Sequence, residues 1–178
     1  VTISEATVPP SEPGKAFRMY VEGSGTADTL GFVQSGFAVA NIAFEPTTVT
    51  LELTGLDGAL VAVTEIVVPA SGQQALFVNE AFASEVLPSD FKGVLRVSSP
   101  DTIAVVGLRG RTNERGNFLI TTTPPTNEAG VTTTGEVFFP HLVDGGGWTT
   151  QTILFSGIAG QVADGLMRFF TVFGVPFD

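Results

Sequence analysis

The chain has no cysteine, one histidine and one tryptophan in 178 residues. Without thiols there is no disulfide framework, no thiolate nucleophile and no Cys-ligated zinc, and a lone histidine lacks the companions zinc sites use. No metal or cofactor is therefore expected. Charge is also scarce: only 15% of residues are charged, and 8 basic against 18 acidic side chains leave a net charge of −10. A polyanion repels other polyanions, which argues against nucleic acid as a partner. No stretch reaches the ~18 unbroken apolar residues of a membrane helix, so no membrane insertion is expected. The chain opens at Val1 without a basic segment ahead of an apolar one, which reads as a mature form with no signal peptide.

What is present favours strands. The chain is 43% hydrophobic, with 15 Phe, 21 Gly and 11 Pro, so it folds, and its turn formers are plentiful. In Thr48-Val49-Thr50-Leu51-Glu52-Leu53-Thr54 every second side chain is apolar, the signature of a strand with one wet face. Asp57-Gly58 reads as a hairpin turn, and Pro100-Asp101 and Asn113-Glu114-Arg115-Gly116 as further turns. These signals predict strands near 16–22, 32–41, 47–54, 59–68, 73–78, 93–99, 102–109 and 116–122, with one short helix from Asn79 to Leu87 ended by Pro88. That spacing suits an all-β immunoglobulin-like β-sandwich over 16–123, preceded by an N-terminal arm over 1–15.

A Pro/Thr linker is expected over 124–135, because two prolines cannot sit in a central strand. Its threonine clusters suit an O-glycosylated stalk or a plain β-prone connection. Beyond it, Glu136 to His141, Thr149 to Ser156 and Gly165 to Val172 read as three more strands. Sliding residues 36–60 forward by 116 positions sets Phe37 on Ile153, Leu51 on Met167, Leu53 on Phe169 and Gly58 on Gly174. The expectation is thus a partial second β-sandwich repeat over 136–178, an incomplete related sheet with open edges. The arm, with Val1, Thr2, Ile3 and Val8, is a candidate donor strand for such an edge, and Phe169 and Phe173 are candidate contacts on the open sheet.

The stretches Val106 to Gly116 and Phe138 to Gln151, the latter with Asp144-Gly145-Gly146-Gly147-Trp148-Thr149-Thr150-Gln151 as its most specific part, resemble recurrent motifs of tandem immunoglobulin-like β-sandwich modules in large secreted bacterial proteins. The resemblance covers about residues 16–178 and implies an extracellular or cell-surface setting with tandem repeats. It carries over no catalytic or binding residue.

Catalytic chemistry is thinly supplied. His141, Asp144 and Ser156 are the residue types of a triad, but no Gly-x-Ser-x-Gly elbow accompanies them, so a structural or turn-capping histidine is the expected reading. Asp28, Asp57 and Asp144 sit at turns without a calcium-loop pattern. Trp148, with Asp144 and Gln151 nearby, is a candidate glycan platform, since aromatic faces suit pyranose rings; a core or inter-module anchor is the alternative.

Charge is unevenly placed. Between Met19 and Phe91 there are nine acidic residues and no basic one, whereas Lys92 to Arg115 holds five bases and two acids. Either these stretches pair within one module, or Arg109, Arg111 and Arg115 meet the acidic region of another copy, head to tail. The resulting expectation is a non-catalytic structural protein that self-assembles through β-strand complementation or edge pairing into a fibre, pilus-like filament or surface array. Its partners are other copies of itself. The alternative is a carbohydrate-binding or adhesion module directed at cell-surface glycans.

Overall fold

The computed structural model describes residues 7–82, 87–88, 90–130, 136–154, 156, 160 and 164–176. The protein is all-β, a single strongly curled antiparallel sheet forming a half-barrel. Its strands are β1 (Gly14–Ser24), β2 (Val33–Asn41), β3 (Thr47–Gly55), β4 (Leu60–Val68), β5 (Gln73–Phe77), β6 (Phe91–Thr112), β7 (Phe118–Thr123) and β8 (Thr126–Asn127), with a one-turn helix α1 (Val78–Ala81) after β5. The order is β4-β3-β6-β1-β2-β5, with β7 beside β6 and β8 beside β1.

The 22-residue β6 explains the shape. At ~3.3 Å per residue it is roughly 70 Å of chain, too long to stay in one flat sheet. Its first half lies between β1 and β3, up to Ser98, and its second half lies between β2 and β7, from Ile103 onward. Pro100 falls in the gap between the two ladders, where its missing N–H breaks no pairing. Two separate strands were expected here; one strand instead runs through the bend. Hydroxyls hold the bend: Thr47 Oγ1 lies 2.8 Å from Ser99 Oγ and donates to Asp101 Oδ2 at 2.7 Å.

Because β6 belongs to both halves, the sheet is continuous, and the two separate sheets of an immunoglobulin-like sandwich do not form. Its concave face collects the alternate apolar residues. Phe17, Met19 and Val21 of β1, Phe37 and Val39 of β2, Val49, Leu51 and Leu53 of β3, and Leu95, Val97, Ile103 and Val105 of β6 make one buried cluster. Gly93 lets strands close up: a Cβ there would sit 2.1 Å from the Thr54 carbonyl oxygen. The expected hairpin at Asp57-Gly58 is present, with Gly58 at φ 81° and the Asp57 carboxylate accepting from the Ala59 N–H at 3.0 Å.

Two regions differ from the sequence reading. The expected linker contributes β8, whose Thr126 and Asn127 pair with Arg18 and Phe17, because the chain turns back along β1 immediately after Pro125. In 136–178 the described residues form no strand, only the isolated bridges Gly145–Trp148 and Phe170–Pro176. Phe138, Leu154, Leu166, Val172 and Phe173 are each at least 70% exposed. Alternation is there, but among the described residues no strand of the sheet pairs with this segment.

Candidate interaction surface

Three features mark the surface: a charged row on the convex face, an open apolar edge, and a tryptophan displayed on a tight turn. The row follows from strand register. Val63, Glu52, Arg96, Arg18 and Thr126 stand opposite one another across β4, β3, β6, β1 and β8. Arg96 and Arg18 are thus direct neighbours of like charge, an arrangement that destabilises a sheet unless it is neutralised. Glu128, just after β8, does this, accepting from Arg96 Nε at 2.8 Å and Nη2 at 3.1 Å while lying 3.8 Å from Arg18 Nε. Glu52 accepts from Arg96 Nη1 at 2.5 Å on the other side. These hydrogen bonds, Glu128's foremost, hold the Arg96 guanidinium charged more firmly than usual against its partial burial. Arg18 Nη1 also donates to the Ser156 carbonyl at 2.6 Å, tying the C-terminal segment to β1.

A second charged group sits at the other end of β1. Arg109 Nε donates to Glu22 Oε1 at 2.5 Å, and the Tyr20 hydroxyl donates to Glu22 Oε2 at 3.3 Å. Burial, with the Glu22 charge and hydrogen bond adding to it, pushes the Tyr20 phenol up to about 12. Arg111 pairs with Glu114; the backbone hydrogen bond to Glu114 and then Arg111 hold its carboxyl below the usual range. Of the candidate self-association arginines, Arg109 and Arg111 therefore have partners within the chain, and Arg115 lies exposed in the 113–116 turn. The acidic and basic stretches meet inside one sheet.

The sheet order ends at β4 on one side and at the five-residue β5 on the other, and β4 is the longer open edge. It pairs with β3 alone among the described strands, and its convex side presents Val61, Val63 and Val67, the last two more than half exposed, around Glu65. Proteins usually blunt such an edge with lysine, proline or a short strand. This one is nine residues long with neither.

Among the other candidates, Val1, Thr2 and Ile3 lie outside the described residues. Val8 is exposed, and the neighbouring Thr7 carbonyl accepts from the Thr122 hydroxyl at 3.1 Å. Phe169 and Phe173 are exposed at 45% and 88%. Asp144, Trp148 and Gln151 are also exposed, and Gly146 and Gly147 both have positive φ (61° and 86°), as a two-residue hairpin loop with the right twist demands. Gly145 and Trp148 exchange backbone hydrogen bonds across it at 2.9 and 3.0 Å. Among the described residues no group of three or more His, Asp or Glu is placed to hold a metal ion.

The sequence reading missed the charged row and the β4 edge. Outward-facing Glu52, Arg96 and Arg18 were visible as polar alternates, but which of them meet depends on strand order.

No protein-family model matches the chain, and no curated protein does. Solved structures do. The crystal structure titled Thermotoga maritima 1070 superposes with a TM-score of 0.52 at 12% identity, covering 66% of this chain and 97% of that one. The Anabaena sensory rhodopsin transducer gives a TM-score of 0.42 at 18% identity, covering 53% of this chain and 95% of that one. At these identities the likeness concerns fold alone. The first of these structures corrects the resemblance to tandem immunoglobulin-like modules: of the two motifs that carried it, the arginine-rich one lies on β6 of a curled half-barrel sheet, and the glycine-rich one forms an isolated turn in the segment after the sheet.

Proposed function

We infer that the chain is a non-catalytic structural protein that assembles with other copies of itself by β-strand addition at a sheet edge. The β4 edge is the observation that carries this reading: nine residues of strand, one side unpaired among the described strands, with exposed valines flanking a single carboxylate. An added strand would satisfy its backbone groups and cover that apolar side at once. Sedimentation velocity over a wide concentration range tests it, in about 0.15 M salt so that copies carrying −10 are screened from one another. The expected outcome is concentration-dependent association that Val63→Lys abolishes while the far-UV circular dichroism is unchanged. A protein that stays monomeric at the highest concentration overturns the reading.

A second reading, a carbohydrate-binding module, draws on Trp148, 72% exposed at its glycine turn beside Asp144 and Gln151. A wild-type glycan array with hits that Trp148→Ala removes would favour it; an empty array would dismiss it.

A further inference from the structure

Resting on that reading, we propose that the strand added to β4 is the segment Leu166–Val172 of a second copy, running antiparallel with Arg168 facing Glu65. The two sequences complement each other at a single register. Along the convex side of β4 the side chains read Val61, Val63, Glu65, Val67, three apolar and one acidic. Every second residue of the tail reads Leu166, Arg168, Phe170, Val172, three apolar and one basic. Set antiparallel with Arg168 opposite Glu65, Leu166 meets Val67, Phe170 meets Val63 and Val172 meets Val61. The same register sets Met167 opposite Ile66, which already packs against the core. A parallel strand with the same ion pair runs off the end, placing Val172 opposite Pro69, where β4 has stopped.

Charge narrows the choice of segment. Arg168 is the single Lys or Arg after Arg115, so no other part of the tail brings a permanent cation to Glu65. Both surfaces are available, since Val63 and Val67 are more than half exposed and Leu166 and Val172 are 77% and 94% exposed. The chain's own tail is held away from β4, because Ser156 is tied to Arg18 on β1, three strands from β4 in the sheet order; in the added strand the local Phe170–Pro176 bridge and Thr171–Val175 turn open so that Val172 reaches Val61. A tail leaving one copy for the edge of the next is a heterologous contact, which builds open chains.

The absence of cysteine makes the test direct. Glu65→Cys and Arg168→Cys are prepared separately, mixed and oxidised; opposed Cα atoms of an antiparallel pair lie ~4.5–5.5 Å apart, within disulfide reach. The expected result is a covalent heterodimer from the mixture and little dimer from either variant alone. In parallel, Glu65→Arg should weaken association about fivefold through like-charge repulsion, and adding Arg168→Glu should restore it. A third variant carries both Glu65→Cys and Arg168→Cys; its rapid closure upon itself at monomeric dilution, with no product from the mixture of single variants, would make the chain's own tail the occupant and overturn the proposal. Persistent association without cross-link or charge-swap rescue would overturn the tail as partner and leave edge assembly standing. Absence of both association and cross-link would overturn the two together.

Discussion

Residues 14–127 and 136–176 draw on the same kinds of residue and reach opposite ends. In the first, Phe17 and Phe37 are at most 2% exposed; in the second, Phe138 and Phe173 are 80% and 88% exposed. Apolar content does not separate them. The sheet's apolar residues alternate on strands whose partners lie far away in sequence, as when β1 meets β6 or β3 meets β6. The tail's described hydrogen-bonded turns are local, spanning Gly145–Trp148 and Thr171–Val175. An apolar strand stabilises a fold only when another element covers it, and loop closure must be overcome before such contacts form.

The sharpest way to break this contrast is the same kind of truncation in both regions. Leu51, fully buried between β4 and β6, should lose about 3–5 kcal/mol on substitution by Ala, from lost burial plus the cavity left behind. Val172→Ala should change stability by less than about 0.5 kcal/mol, as exposed sites do, at dilutions that keep copies apart. Urea unfolding measures both. A cost at Val172 comparable to that at Leu51 would mean that the tail is part of the cooperative core.

A smaller effect is expected on the convex face. Arg96→Met removes the cation between Glu128 and Glu52 and, among the described residues, leaves Glu128 the more distant Arg18 as its cation. Losing charge-assisted hydrogen bonds at a half-buried site should cost about 2 kcal/mol. Adding Glu52→Gln and Glu128→Gln to Arg96→Met should recover part of this, because fewer unpaired charges then remain. If the single variant unfolds at the wild-type urea midpoint, the row contributes nothing to stability.

What was legible in the sequence follows the same divide. Strand positions were readable because alternation is local: the predicted strands at 47–54 and 59–68 match β3 and β4 within a residue. The turns at Gly58 and Gly116 were readable because positive φ favours glycine. Pro100 was misread as a strand end, since a proline inside a long strand is tolerated only where the ladder changes partners, and that depends on β1, β2 and β3 together. Sandwich and half-barrel differ by whether β6 serves both halves, a non-local fact. In the tail the alternation is real; it describes the face a strand would present once paired, and no local signal states with what. The candidate surface was legible only in parts, as polar alternates without their neighbours.

The smallest effect tests how tightly the Glu22 corner is packed, and it can be read from one chromophore, because Tyr20 is the only tyrosine. Its phenol should titrate near pH 12 in the native protein, against about 10 in the unfolded chain, mainly because burial disfavours the phenolate and Glu22 adds negative charge beside it. The native state then holds this proton to higher pH than the unfolded state does. Its contribution to stability is fully present below pH 10 and is lost as pH rises toward 12. Phenolate absorbance measured in native buffer and in denaturant should give two separated midpoints, and Tyr20→Phe should flatten that part of the alkaline stability loss. Coincident midpoints near 10 would show that water reaches the phenol, and that the order of the sheet weakens at this corner as it does in the tail.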